Sequence, residues 1–281
     1  MVRAGVVAEP PSPQWHQPIR VLHLFAGPAD RRDGVAANIR NGGGTCEDVD
    51  TVNTYLPDMD IADDSIWARY KARLRDGEFD VVAAGPPCGS FSPVRRIRPG
   101  PPVLRSKEFL YGFPKSQARE RQLGPDDFET IRMGNLLAER TAEACAIQMD
   151  GARAFVVEQP KPQHDVAHMY DFHSFQRLIQ RGARWVDVDQ CQFGAETTKP
   201  TRLLAAGVDL GIFESQEIKC SHPKKWVCDF QGRWIWAAHP PLCGKRAGTS
   251  DWATDAAKEY PSLLCRWLAA LCATARCAKR H

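Results

Sequence analysis

Asp80-Val-Val-Ala-Ala-Gly-Pro-Pro-Cys-Gly-Ser-Phe-Ser92 is the stretch that decides how this chain is read. Val81 to Ala84 has the length and apolarity of a buried strand, and Gly85-Pro86-Pro87 ends it with residues that cannot continue a ladder. The turn therefore delivers Cys88 from a strand end onto a rigid loop. In an open α/β sheet the carboxyl ends of the strands are where ligands bind, which makes Cys88 a candidate nucleophile. Taken alone, the same four residues also read as a plain strand stop with a small buried thiol.

The pattern on either side gives the fold class. Residues 20–25 read as a first strand and Arg31 to Asn41 as a helix stopped by Gly42-Gly-Gly44. Thr45 to Val52 reads as a second strand carrying Glu47, Asp48 and Asp50, followed by an amphipathic helix from Ser65 to Arg75. A long helix from Phe128 to Met149, a strand at Ala154 to Val157, a helix from Phe172 to Arg181 and a strand from Trp185 to Asp189 continue the alternation. Strands alternating with helices predict an α/β fold, a doubly wound and mostly parallel sheet. Residues 1–18, with four prolines, read as a flexible or loosely packed arm, and residues 207–247 break the rhythm as a small irregular insertion. Residues 248–281 end in a helix, expected from Pro261 to Cys277, that packs back on the main domain.

Composition sets wider bounds. The chain has 281 residues, 43% of them hydrophobic, and a net charge of +3 that neither demands nor excludes nucleic acid. It contains no apolar run of 18 residues and its Pro-rich start lacks the apolar core of a signal peptide, so a soluble intracellular protein is expected, in cytoplasm or nucleus. Ten scattered cysteines read as reduced thiols.

Four motifs, in order, resemble those of the DNA (cytosine-5) methyltransferases. The Pro87-Cys88 pair with Phe91-Ser92 is similar to that family's nucleophile motif, and His23-Leu-Phe-Ala-Gly27 to its first motif, Asp-Leu-Phe-Ala-Gly. Val156-Val-Glu-Gln-Pro160 resembles its Glu-Asn-Val or Glu-Asn-Pro segment, and Phe193-Gly-Ala-Glu-Thr-Thr-Lys199 its Tyr-Gly-Val-Pro-Gln-Ser-Arg segment. The resemblance spans roughly residues 20–205 and implies a class I S-adenosylmethionine-dependent methyltransferase fold, with residues 19–206 as the catalytic domain and 207–247 as a reduced target-recognition region.

By this resemblance Cys88 adds to C6 of cytosine, Glu158 assists at the ring nitrogen, Lys199 stands where the family has its first arginine and Thr201 where it has its second, with Arg202, one position on, placed to compensate. Phe25, Ala26 and Gly27 form the close-approach turn for S-adenosyl-L-methionine, Asp50 meets its ribose, Asp60 its adenine, and Pro86 lines the same pocket. Pro28, Gly89 and Thr201 depart from the family pattern. The substrate is expected to be DNA, with RNA or a nucleotide as an alternative, a catalytically silent nucleic-acid-binding relative as a second, and an unrelated thiol hydrolase as a third.

Two further features stand out. Arg95, Arg96, Arg98, Arg105, Lys107, Lys115, Arg119 and Arg121 face only Glu108 and Glu120 in a stretch that also holds Phe109, Tyr111 and Phe113. That reads as a mobile basic loop for phosphates and bases, with Arg95, Arg96, Arg98 and Arg105 as nucleic-acid contacts, or else as a solvated face. Cys220, His222, Cys228, His239 and Cys243 have spacings that can place pairs on one ion, but they match no common finger. The expectation is no metal and ordinary buried thiols, with Trp226, Trp234 and Trp236 filling the small core of the insertion.

Overall fold

The computed structural model describes residues 6–10, 18–27, 31–50, 59–97, 100–214, 216 and 218–275. Six strands form one sheet: β1 (Arg20–Leu24), β2 (Thr45–Val49), β3 (Val81–Ala84), β4 (Ala154–Pro160), β5 (Arg184–Asp189) and β6 (Pro200–Ala206), in the order β2-β1-β3-β4-β6-β5. β2, β1, β3 and β4 pair in parallel, while β6 runs antiparallel between β4 and β5. The sheet is thus mixed and mostly parallel, as the alternation of elements implies.

The strands are apolar on both faces because both are covered. Leu22, Leu24, Val82, Ala84, Phe155, Val157 and Leu204 pack under α2 (Asp64–Arg75), α4 (Pro125–Asp150) and α5 (His173–Gln180). The alternate residues Val21, Val81, Ala83, Ala154, Val156, Leu203 and Ala205 pack under α1 (Val35–Asn41) and α6 (Ser262–Ala273). A period of two along each strand sends successive side chains to opposite layers. Between β3 and α4 lies a smaller cluster of Leu104, Phe113, Leu123 and Ile131, beside the short helix α3 (Ala118–Arg121).

Several expectations are corrected. Residues 6–10 of the arm are docked: Val7 is buried, its N–H donates to Gln192 O (2.8 Å), and Trp267 Nε1 donates to Ala8 O (3.1 Å). The rest of that arm, residues 1–5 and 11–17, lies outside the described residues. The irregular part begins later than residue 207, since Leu210 and Phe213 still belong to the core. Inside it a hairpin of β7 (Lys225–Cys228) and β8 (Trp234–Ala237) forms a separate two-stranded sheet. Trp226, Trp234 and Trp236 do not fill a core there; they are 63%, 69% and 58% exposed.

Candidate active site

β1 leads to β2 on one side of the sheet and β3 lies on the other, so the order in which strands are added reverses between β1 and β3. Loops leaving the two carboxyl ends diverge there and open the crevice where ligands settle in such sheets. The turn after β1 carries Phe25 and Gly27 at φ of 63° and 74°. Gly27 tolerates that conformation, whereas Phe25 adopts it under strain. Phe25 N–H is held by Val49 O (2.6 Å), and Gly27 N–H donates to Asp50 Oδ2 (2.7 Å).

The acids of β2 separate by role. Glu47 is engaged by Arg73 (2.6 and 2.7 Å) and Tyr70 (2.9 Å), and Asp48 by His23 (3.1 Å) and Arg40 (2.8 Å). Only Asp50 of the three stands past the strand end, at the Gly27 turn. Asp60 closes a local turn by accepting from Ala62 N–H (2.8 Å), just before Asp63 caps α2. Pro28 falls outside the described residues.

The register of β3 on β4 pairs Ala84 with Val157, which sets Gly85 level with Glu158. The turn to Cys88 therefore leaves directly beside the Glu158 carboxylate. A Cβ built on Gly85 would meet the Tyr260 hydroxyl and lie 3.9 Å from Glu158 Oε2, so only glycine fits this approach. Gln159, fully buried, donates from Nε2 to Pro86 O and clamps the turn from the neighbouring strand.

Glu158 is 7% exposed, and both its oxygens are engaged. Tyr260 Oη donates to Oε2 (2.9 Å) and Gln190 Nε2 to Oε1 (3.4 Å), while Gln190 Nε2 also reaches Thr201 Oγ1 (3.0 Å). Burial pushes the Cys88 thiol pKa up, the Lys199 charge opposes the shift, and the nearby Glu158 adds to it. Lys199 takes a left-handed φ of 33°, donates to Ala257 O (2.7 Å) and lies 5.5 Å from the Tyr260 ring centre. The three sequence-derived catalytic residues thus share one strand-end environment. Tyr260, Gln159 and Gln190 complete it, and sequence reasoning missed all three; Gln159 had a signal, standing between Glu158 and Pro160 at the end of an apolar strand.

Arg202 does not stand in for Thr201, because it projects from the opposite face of β6. It forms a bidentate pair with Asp187 (2.6 and 3.0 Å) and packs 4.8 Å from the Trp185 ring, on the other side of the strand from Glu158. The alternation along β6 dictates this, because Leu203 is the residue opposite Glu158.

The basic stretch is also reassigned in part. Arg105 is 3% exposed and donates to Leu110 O (2.8 Å), Asn135 Oδ1 (2.6 Å), Ser90 Oγ (2.9 Å) and Ile131 O (3.2 Å), over the Phe91 ring at 4.1 Å. Burial pushes its pKa down to about 9, and the cation is held at neutral pH by these acceptors. Its guanidinium is taken up by acceptors of the protein itself, which makes it an anchor of the loop where an exposed contact was expected. Arg95 likewise donates to Gly89 O (2.5 Å) and Pro102 O (2.7 Å), and Lys107 pairs with Asp171 (2.7 Å). Phe113 is buried, whereas Tyr111 stacks on Phe172 at 4.3 Å and stays 45% exposed. Arg96 is exposed, and Arg98 lies outside the described residues.

Of the five metal candidates, Cys220, His222 and His239 converge, joined by Cys191 from the turn after β5. Cys228 is exposed and turned to Asp229 O (3.7 Å), and Cys243 is outside the group. No known family model matches this chain, and no curated protein matches it in sequence.

Proposed function

We propose that the chain is an S-adenosylmethionine-dependent methyltransferase that acts on C5 of cytosine in DNA. One observation carries the reading: Cys88 and Glu158 leave adjacent parallel strands side by side, with Lys199 next to them. The Phe25–Gly27 turn with Asp50 stands at the same end of the sheet, past the carboxyl ends of β1 and β2. A class I methyltransferase architecture is the finer reading of the mixed sheet.

The residues present suit the methyl donor. The strained turn at Phe25 and Gly27 brings backbone close to a ligand, Asp50 offers a carboxylate for ribose hydroxyls, and Asp60 and Pro86 stand at the neighbouring loops. When bound, the donor supplies an electrophilic methyl group. The chain's own part begins with Cys88, whose thiolate forms a bond to C6 as the ring π electrons move to C5. Glu158 hydrogen-bonds or protonates N3, which makes C6 electrophilic. After C5 has gained its methyl, loss of the C5 proton and cleavage of the Cys88–C6 bond restore the aromatic ring. Lys199 holds the Cys88 environment positive, favouring the thiolate against burial.

Incubation of the purified chain with labelled donor and DNA or RNA, then digestion to nucleosides, tests the reading. Label in 5-methylcytosine supports it, and label in the ribonucleoside moves the substrate to RNA. A second reading, nucleic-acid binding without turnover, draws on the Tyr260 hydroxyl already occupying Glu158 Oε2. Binding of nucleic acid with no label in any nucleoside favours it.

A further inference from the structure

We infer that Cys191, Cys220, His222 and His239 form a structural zinc site at the root of the β7–β8 hairpin. Their ligand atoms all lie within 4.8 Å of one another, although they come from three separate segments. His239 Nε2 and His222 Nδ1 are 3.2 Å apart, and Cys220 Sγ is 3.6 Å from His222 Nδ1. A tetrahedral zinc with bonds of about 2.05 Å to nitrogen and about 2.3 Å to sulfur sets nitrogen pairs about 3.3 Å apart and nitrogen–sulfur pairs about 3.6 Å apart. The His222–His239 and Cys220–His222 pairs already stand at those separations, and Cys191 Sγ lies within 4.8 Å of all three.

The surroundings fit a ligand set as well. His239 Nδ1 lies 2.9 Å from Glu196 O, so its N–H donates there and Nε2 is left with its lone pair facing His222. That is the outer hydrogen bond that fixes the ring of a metal-bound histidine. Cys220 N–H donates to Asp189 Oδ2 (2.8 Å), Asp189 N–H to Ile218 O (2.8 Å) and Gln192 Nε2 to Lys219 O (2.7 Å), which aligns the Cys220 segment against the Cys191 turn. Two thiolates and two neutral imidazoles balance a dication, and a four-ligand set leaves no position for catalysis.

The hairpin explains why an ion is needed. Its three tryptophans face outward, so it has no core of its own, and an isolated two-stranded hairpin is marginal in water. Cys220 and His222 stand just before β7 and His239 just after β8, so one ion ties both legs to the turn holding Gln190, the Glu158 partner. This inference does not rest on the methyltransferase reading.

The test is elemental analysis of the full chain, purified with zinc and then desalted. Stoichiometric zinc is expected, falling at least several-fold in Cys191→Ser and Cys220→Ser and unchanged in Cys228→Ser and Cys243→Ser. Cobalt(II) exchange into the unmutated protein guards against variants that fail to fold, and should give the visible bands of tetrahedral coordination with a thiolate charge-transfer band. An unmutated protein that retains no zinc and gives only octahedral cobalt spectra overturns the site. Equal zinc loss in Cys228→Ser or Cys243→Ser overturns the ligand set.

Discussion

Replacing Arg105 by Met separates a loop anchor from a phosphate contact. Met refills the volume of the arginine stem but leaves Asn135 Oδ1 and Leu110 O without their short bonds from the guanidinium (2.6 and 2.8 Å). Orphaned, partly buried acceptors cost about 1–3 kcal/mol each, so the folded state should lose about 2–4 kcal/mol. For a chain of this size roughly 2–4 °C accompanies each kcal/mol, a fall in Tm of roughly 5–15 °C. Arg96→Ala, at an exposed position, should leave Tm unchanged. If the proposed DNA contact includes Arg96, its loss should also reduce the salt slope of binding by about 0.9. Scanning calorimetry and binding at several salt concentrations read the two quantities. An Arg105→Met protein with unchanged Tm and a reduced salt slope would refute the assignment.

Cys88→Ala should abolish methyl transfer while changing stability by less than about 1 kcal/mol, as denaturant unfolding alongside a turnover assay will read. Because burial raises the Cys88 thiol and Lys199 opposes the rise, activity should climb with pH, and Lys199→Met should move that limb to higher pH; an unmoved profile contradicts the coupling. Asp50→Ala should weaken donor binding by about 1.5–3 kcal/mol in calorimetry, and Asp50→Asn, which keeps an acceptor for Gly27 N–H, shows how much of that loss belongs to the turn. His168 is 1% exposed and its pKa is lowered to about 4 by burial, so the unfolded chain takes up its proton first as pH falls. The stability it contributes is complete above pH of about 6.5 and is lost toward pH 4, by about 3 kcal/mol; His168→Gln should flatten that part of the curve measured by denaturant unfolding.

How far the sequence carried follows from the kind of signal each element leaves. The long helix α4 and the short strand β3 were legible because apolar spacing and breakers state them locally. β6 went unread as a strand although Leu203 to Ala206 is an apolar run, because Pro200, Thr201 and Arg202 ahead of it resemble loop chemistry. Cys88 and Glu158 were legible as strand-end residues. Tyr260 was not, since only the return of the chain before α6 brings it to Glu158, more than a hundred positions away. The basic stretch misled for a related reason: charge composition does not say whether an arginine meets water or a buried carbonyl. Cys191 was one of ten scattered thiols in the sequence, and while the spacing of Cys220 and His222 hinted at a pair, only the fold brings His239 and Cys191 to them.

The central claim is that Cys88 attacks C6 of cytosine in the course of methyl transfer. DNA carrying 5-fluorocytosine, incubated with donor and the chain, blocks the final loss from C5 and so holds the adduct for mass spectrometry. The account predicts a covalent protein–DNA species, with the modified peptide mapping to Cys88 and none formed by Cys88→Ala. Production of 5-methylcytosine from ordinary DNA without any adduct on the fluorinated strand would contradict it.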